Sequence, residues 1–231
     1  MSGKKGPSPA ARPRRRFEAV LFDMDGVLVD SEAFIAEAAA AMFAERHGVV
    51  VPLEDFLPFV GTGEDRYLAG VAERHGVVLE PEADKRRTYE LYFELIRGRL
   101  KELPGAAEFV RECRRRGIKT AIATSADRTK MDANLRELGL AESDFDATVN
   151  GLEVARKKPF PDIYLEAARR LGADPSRCLV VEDALTGIEA AKAAGCACLG
   201  LASCFPDAKL REAGADYTAP DLARADRKLL E

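Results

Sequence analysis

An apolar run, Ala19-Val20-Leu21, leads into the stretch FDMDGVLVDS (22–31). An uncharged, β-branched run bounded by Asp and Gly predicts a buried strand that stops abruptly. Side chains alternate along an extended chain, so Asp23 and Asp25 leave the strand end pointing the same way. Two carboxylates this close repel each other unless a cation or a shared proton lies between them. Gly26 permits a sharp turn that a Cβ would resist. The stretch can therefore supply a nucleophile, an acid/base and ligands for a hard metal. Asp and Gly are also ordinary turn residues, so the bland reading is a strand followed by a turn. An EF-hand loop starting at Asp23 is excluded, because Phe34 stands where its last acidic ligand belongs.

Beyond Ser31 the pattern is helical up to Leu103. Ser31 is placed to N-cap a helix carrying Phe34, Ile35, Ala38, Met42 and Phe43 at helical spacing and ending at Gly48. Further helices are expected from Glu64 to His75 and from Pro81 to about Arg99. The segment AERHGVV occurs at 44–50 and again at 72–78. Each copy fits a helix end with His in the last turn and Gly after it. His47 and His75 are the only histidines. Read as helix-end residues, they leave no His-based triad or zinc site.

From Pro104-Gly105 onward, strand and helix signals alternate. Strands are expected at 118–123, 145–149, 178–181, 196–201 and near 215–217. Helices are expected at 106–116, 127–138, 161–171 and 184–194, most of them ending at a Gly. Such alternation predicts an α/β fold with a doubly wound parallel sheet. The strand at 18–22 belongs to that sheet, so 17–30 and 104–231 form the core and 31–103 is a helical insertion.

In sheets of this kind ligands bind outside the carboxyl ends of the strands. The residues standing there are Asp23 and Asp25, then Thr124 and Ser125, then Glu182 and Asp183. Lys158 lies in the loop after 145–149. Acids gathered at one edge invite a divalent cation, and a hydroxyl with a lysine beside them complements an anion. Each residue alone is ordinary in a loop, and Lys157 competes with Lys158. Their convergence on one edge is the signal.

Charge narrows the partners. Residues 1–16 hold six Lys/Arg and no acid, and read as a basic disordered arm. The remainder carries 29 basic against 39 acidic residues, a net charge of −10, which argues against nucleic acid as substrate. No apolar stretch is long enough for a membrane span, and the N-terminus lacks the apolar region of a secretory signal. Five scattered cysteines fit a reducing compartment, cytoplasm or, for a plant or algal source, chloroplast stroma. Cys196 and Cys198 would share one strand face and read as buried free thiols.

The motifs FDMDGVLVDS (22–31), ATS (123–125), KKPFPDIY (157–164) and VVEDALTGIEAAKAAG (180–195) resemble those of the haloacid dehalogenase-like superfamily, in the subgroup of β-phosphoglucomutase and small-metabolite phosphatases. Segments 55–64 and 125–135 resemble the phosphatase-like domain of a multidomain plant thylakoid protein. The resemblance implies a Rossmann-like core with 31–103 as its helical cap. It makes Asp23 the nucleophile, Asp25 the general acid/base, and Thr124 and Lys158 the phosphate holders. Glu182 and Asp183 join Asp23 and Asp25 as ligands of Mg²⁺. Ser125 and the cap residues Gly61, Thr62, Glu64 and Arg66 are expected to face the substrate.

The function so implied is a Mg²⁺-dependent phosphatase of a small phosphorylated metabolite, acting as a monomer without nucleic-acid or membrane partners. A phosphosugar mutase and a non-catalytic sensor of a phosphorylated compound are the alternatives. In the mutase pattern a cap arginine that grips a second phosphate stands where Glu64 stands here, and a cap histidine aligns with Ile35. Arg66, Arg86 and Arg87 are the residues that could compensate.

Overall fold

The computed structural model describes residues 16–231; of the expected basic arm, all but Arg16 lies outside the described residues. Six strands, β1 Ala19–Phe22, β2 Lys119–Ala123, β3 Ala147–Val149, β4 Cys178–Glu182, β5 Ala197–Leu201 and β6 Tyr217–Ala219, form one parallel sheet ordered β3-β2-β1-β4-β5-β6. β1 is central. It pairs with β2 from Ala19↔Lys119 to Phe22↔Ile122 and with β4 from Ala19↔Cys178 to Phe22↔Val181. The chain winds outward from β1 to β3, then crosses back to β4. The strand order therefore reverses between β1 and β4, and ligands bind at such a switch point.

Period-two alternation divides the core into two layers. Val20, Phe22, Ile122, Leu179 and Val181 face one side, where helices α4 Ala106–Arg115 and α5 Arg128–Glu137 pack. Ala19, Leu21, Ala121, Cys178, Val180 and Cys198 face the other, against α6 Asp162–Leu171, α7 Leu185–Ala193 and α8 Asp207–Glu212. Phe22 and Phe109 meet edge-to-face with ring centroids 6.1 Å apart, both fully buried. Truncating either to Ala is expected to cost about 3–5 kcal/mol. This layer anchors the strand that delivers Asp23.

The insertion consists of α1 Glu32–His47, a 3₁₀ segment Leu53–Phe59, α2 Glu64–His75 and α3 Pro81–Ile96. Its two connections to the core run side by side. Asp30 N–H donates to Lys101 O at 3.0 Å, Leu103 N–H donates to Leu28 O at 3.0 Å, and Val29 bridges Glu102 antiparallel. Both AERHGVV segments end helices, with Gly48 and Gly76 left-handed at φ 68° and 65°. His47 Nε2 lies 3.0 Å from Asp84 and His75 Nε2 2.8 Å from Asp55, so both histidines tie down helix ends.

Some details differ from the sequence reading. The 3₁₀ segment and α8 carry no sustained apolar periodicity, and neither was expected; β6 starts two residues later than the strand expected near 215–217. Ser31 precedes α1 but makes no capping hydrogen bond. Its hydroxyl donates instead to Asp25 Oδ1.

Candidate active site

The carboxyl ends of β1 and β4 deliver Asp23 and Asp183 to one point. Asp23 N–H donates to Val181 O at 3.0 Å, continuing the β1–β4 ladder by one residue. The chain then turns at Gly26, whose φ is 73°. A Cβ there would lie 2.0 Å from Asp183 Oδ2, so only glycine lets the turn and the Asp183 carboxylate approach this closely. Ser203 Oγ secures the arrangement, donating to Gly26 O at 2.8 Å and to Asp183 Oδ2 at 3.3 Å.

Asp23, Glu182 and Asp183 each bring one carboxylate oxygen within 4.8 Å of the others. All three are buried. Burial first, and then neighbouring carboxylates, push the Asp23 and Asp183 carboxyls well above the ordinary value; for Asp23 the Lys158 ammonium opposes the rise. Hard oxygen donors that repel one another in a dry site fit a small divalent cation such as Mg²⁺. The side chain of Asp25 is not a member of this group.

Lys158 closes the other side. Its ammonium pairs with Asp23 Oδ1 and, at 2.6 Å, with Glu182 Oε1, and the whole side chain is buried. Burial alone would discharge it, but Asp23 and Glu182 outweigh that and raise its pKa. Tyr164 OH also donates to Glu182 Oε1 at 2.7 Å, while Glu182 Oε2 accepts the backbone N–H groups of Asp183 (2.9 Å) and Ala184 (3.0 Å). Lys157 turns away toward Asp65 and Asp127. Of the two adjacent lysines, Lys158 is therefore the one beside the acids.

Asp25 is held by three groups. Ser31 Oγ and Asn134 Nδ2 (3.2 Å) donate to Oδ1, and Lys130 Nζ lies 3.0 Å from Oδ2. Each helper from α5 is gripped by the insertion: Glu64 Oε1 lies 3.2 Å from Lys130 Nζ, and Tyr92 OH donates to Asn134 Oδ1 at 2.6 Å. Burial opposes the Lys130 charge, yet Asp25 and Glu64 raise its pKa well above the usual value. Glu32, half-buried at the start of α1, is pushed up to about 7 by burial and by Asp25.

These residues enclose a cavity of about 30 Å³ lined by Asp23, Asp25, Glu64, Thr124, Ser125 and Lys130, with Gly61, Gly63, Glu32 and Asp183 also on its wall. Thr124 Oγ1 accepts the Ala126 N–H at 3.1 Å, which leaves its own proton free for a ligand. Thr62 and Arg66 do not line it: Thr62 Oγ1 donates to Phe59 O at 2.6 Å, and Arg66 pairs with Glu73 at 2.9 Å over the Phe59 ring. Arg87 pairs with Glu45 and Glu90. Cys178, Cys196 and Cys198 are buried free thiols on the opposite sheet face.

Sequence reasoning did not single out Lys130, Asn134, Tyr92, Tyr164 or Glu32. Lys130 and Asn134 stand four apart beside the apolar pair Met131 and Leu135. Polar residues repeating at that spacing on a buried helix face were the available signal.

A family model described as haloacid dehalogenase-like hydrolase matches residues 17–195. The Arabidopsis thaliana protein SUPPRESSOR OF QUENCHING 1, chloroplastic, is 44% identical over 210 residues, covering 90% of this chain but only 20% of that protein's length. A phosphorylated carbohydrates phosphatase of Thermotoga maritima is 38% identical over 209 residues, covering 86% of this chain and 92% of that protein. Among solved structures, CbbY from Rhodobacter sphaeroides in complex with phosphate superposes with a TM-score of 0.78 at 31% identity, covering 90% of this chain and 95% of the other. Among the described residues no helix is long and apolar enough to cross a membrane.

Proposed function

The chain belongs to the haloacid dehalogenase-like hydrolases, and from that premise we propose that it is a Mg²⁺-dependent phosphatase hydrolysing a small phosphorylated metabolite of the sugar-phosphate type through an aspartyl-phosphate on Asp23. One observation carries the reading: the Asp23 carboxylate and an independently held second carboxylate, Asp25, line one small cavity, and the buried Lys158 ammonium is paired to Asp23. The name of the Thermotoga protein supports the class of substrate, and the phosphate bound in the Rhodobacter protein supports a phosphate site. Asp23, Glu182 and Asp183 would hold the cation, which supplies charge neutralisation for the phosphoryl group.

Phosphate monoesters hydrolyse extremely slowly in water, so positioning and electrostatics must provide most of the acceleration. Asp23 attacks phosphorus and splits one hard displacement into two easier ones. Lys158, fixed by Glu182, and the free proton of Thr124 stabilise charge developing on the transferring oxygens. Asp25 gives its proton to the leaving alcohol; in the second half-reaction it takes one from the attacking water. The insertion over 31–103 acts as the cap that shuts water out and opens for exchange at the paired connections near Asp30 and Leu103.

A mutase must hold a bisphosphate with a cationic anchor. The cap offers Glu64 at the cavity, and Arg66 and Arg87 are paired elsewhere. The test is release of inorganic phosphate from a panel of phosphorylated metabolites with Mg²⁺. Asp23→Asn should lower turnover by about 10⁴-fold or more while the protein stays folded. Retention of a tenth of the activity would remove the covalent step. An isomerised sugar phosphate formed faster than phosphate release would replace the phosphatase with a mutase.

A further inference from the structure

Two buried polar atoms on residues that wall the cavity make no hydrogen bond of normal geometry, Glu64 Oε2 and Ser125 Oγ. The Tyr89 hydroxyl, equally unsatisfied and off the cavity wall, interacts with Glu64 without closing such a bond. Glu64 is 4% exposed and Ser125 5%. Leaving such a group unpaired costs about 1–3 kcal/mol, so an atom of this kind in a binding cavity signals a bond made only when a ligand arrives. The two come from opposite sides. Glu64 opens α2 of the cap, and Ser125 follows β2 of the core.

The charges around them restrict what that ligand can be. Glu64 Oε1 is anchored by Lys130, whose ammonium it shares with Asp25. Asp25, Glu32 and Glu64 all line this side, and among the described residues Lys130 is the only cationic side chain on the wall. A ligand group entering here meets a free carboxylate oxygen, a hydroxyl and a surplus of negative charge. A hydrogen-bond donor suits it, and a second anion does not. With the cap shut the cavity holds room for only two or three waters, so the carbon skeleton is short or the cap moves to admit it.

We propose that Glu64 and Ser125 form a subsite for the hydroxyl groups of the leaving alcohol, with Lys130 the positioning residue that aims Glu64. The subsite selects phosphomonoesters of polyols that carry no second anionic group. It rests on the phosphatase reading above and adds the substrate chemistry to it. A site built to bond a substrate hydroxyl rejects the analogue lacking it, because its own buried groups are then left unpaired.

The experiment compares kcat/KM of the full chain with Mg²⁺ on three esters: a polyol monophosphate, the alkyl phosphate of matched length, and the corresponding bisphosphate. The polyol monophosphate should exceed each of the others by at least about tenfold. Glu64→Ala should bring the polyol-to-alkyl ratio close to one, and Glu64→Gln, which keeps size and one acceptor, should lower it about threefold and serves if the Ala variant does not fold. Lys130→Met should raise KM for the polyol ester more than for the alkyl ester, with partial recovery in Lys130→Arg. Equal use of polyol and alkyl esters by the parent protein, preference for the bisphosphate, or an unchanged ratio in both Glu64 variants would overturn the subsite while leaving the phosphatase intact. If no ester releases phosphate, the phosphatase reading fails. The subsite is then decided by calorimetry, where weaker binding of the alkyl phosphate than of the polyol phosphate supports it and equal or absent binding ends it.

Discussion

Lys158 Nζ lies 2.6 Å from Glu182 Oε1, and neither side chain touches solvent. Each is the other's charge partner in a dry place, so removing one strands the other. Both Glu182 oxygens accept hydrogen bonds, from Lys158, Tyr164 and two backbone N–H groups, so fixing Lys158 is one of its tasks beside any part in holding a cation. Glu182→Ala is expected to destabilise the fold by about 3–5 kcal/mol, because it leaves a buried lysine with only Asp23. Glu182→Gln keeps acceptor and size and should cost less than half of that. Urea denaturation measures both; equal small losses would show that Lys158 finds compensation elsewhere.

The pH dependence follows from Asp23 and Asp183. Burial and mutual repulsion raise both carboxyls, and Glu32 is pushed up to about 7. In the unfolded chain these groups release their protons near pH 4. Above that pH the folded state binds more protons than the unfolded one, so stability falls as pH rises and stops falling once the folded groups have ionised. A cation bound by Asp23, Glu182 and Asp183 competes with those protons. Mg²⁺ at about 100 times its Kd adds about 2.7 kcal/mol, or roughly 5–10 °C in Tm for a chain of this size. The gain should be larger at pH 8 than at pH 5 in thermal melts, and chelator should erase it. A gain independent of pH would mean that the ion binds elsewhere.

Much of this site was legible in the chain because its parts sit where local rules place them. β1 ends at Phe22 and β4 at Glu182, so Asp23, Asp25 and Asp183 follow from strand ends and a switch point. Helix ends at Gly48 and Gly76 were equally visible. What was not legible depends on contacts between the insertion and the core. Tyr92 reaches Asn134 across 42 residues, and Glu64 reaches Lys130 across 66, and no periodicity reports such pairings. Arg66 illustrates the converse: its place in the cap loop suggested the site, but Glu73, two helical turns away, takes its guanidinium.

The insertion and the core are also joined by an ionic square. Lys85 of α3 lies 2.8 Å from Asp65 and 3.0 Å from Asp127, and Lys157 lies 3.5 Å and 3.6 Å from the same two acids. Asp65 is more than half exposed, so the square is open to screening. The Debye length falls from about 30 Å at 0.01 M salt to about 3 Å at 1 M. Salt should therefore favour the open cap and raise KM severalfold with little change in kcat. Asp65→Asn should raise KM at low salt and flatten the salt dependence. Identical salt profiles for the parent and the variant would assign the effect to the charged substrate alone.

In the proposed mechanism the three bonds to Asp25 bear on proton transfer rather than on attack by Asp23. Ser31 and Asn134 both hold Oδ1, and Tyr92 in turn holds Asn134. A leaving group that departs as a stable anion needs little help from an acid, whereas an alkoxide needs a proton in place as the bond breaks. Asp25→Asn should therefore slow single-turnover phosphorylation by alkyl phosphates about 10²–10⁴-fold, and by an activated aryl phosphate far less. Asn134→Ala keeps the carboxylate but removes one of the two donors to its Oδ1. It should reproduce the same bias toward good leaving groups in milder form, about tenfold, because a misplaced acid loses rate without losing its chemistry. Equal losses on aryl and alkyl phosphates in both variants would take Asp25 out of the acid role and leave the carboxylate a purely structural partner of Lys130.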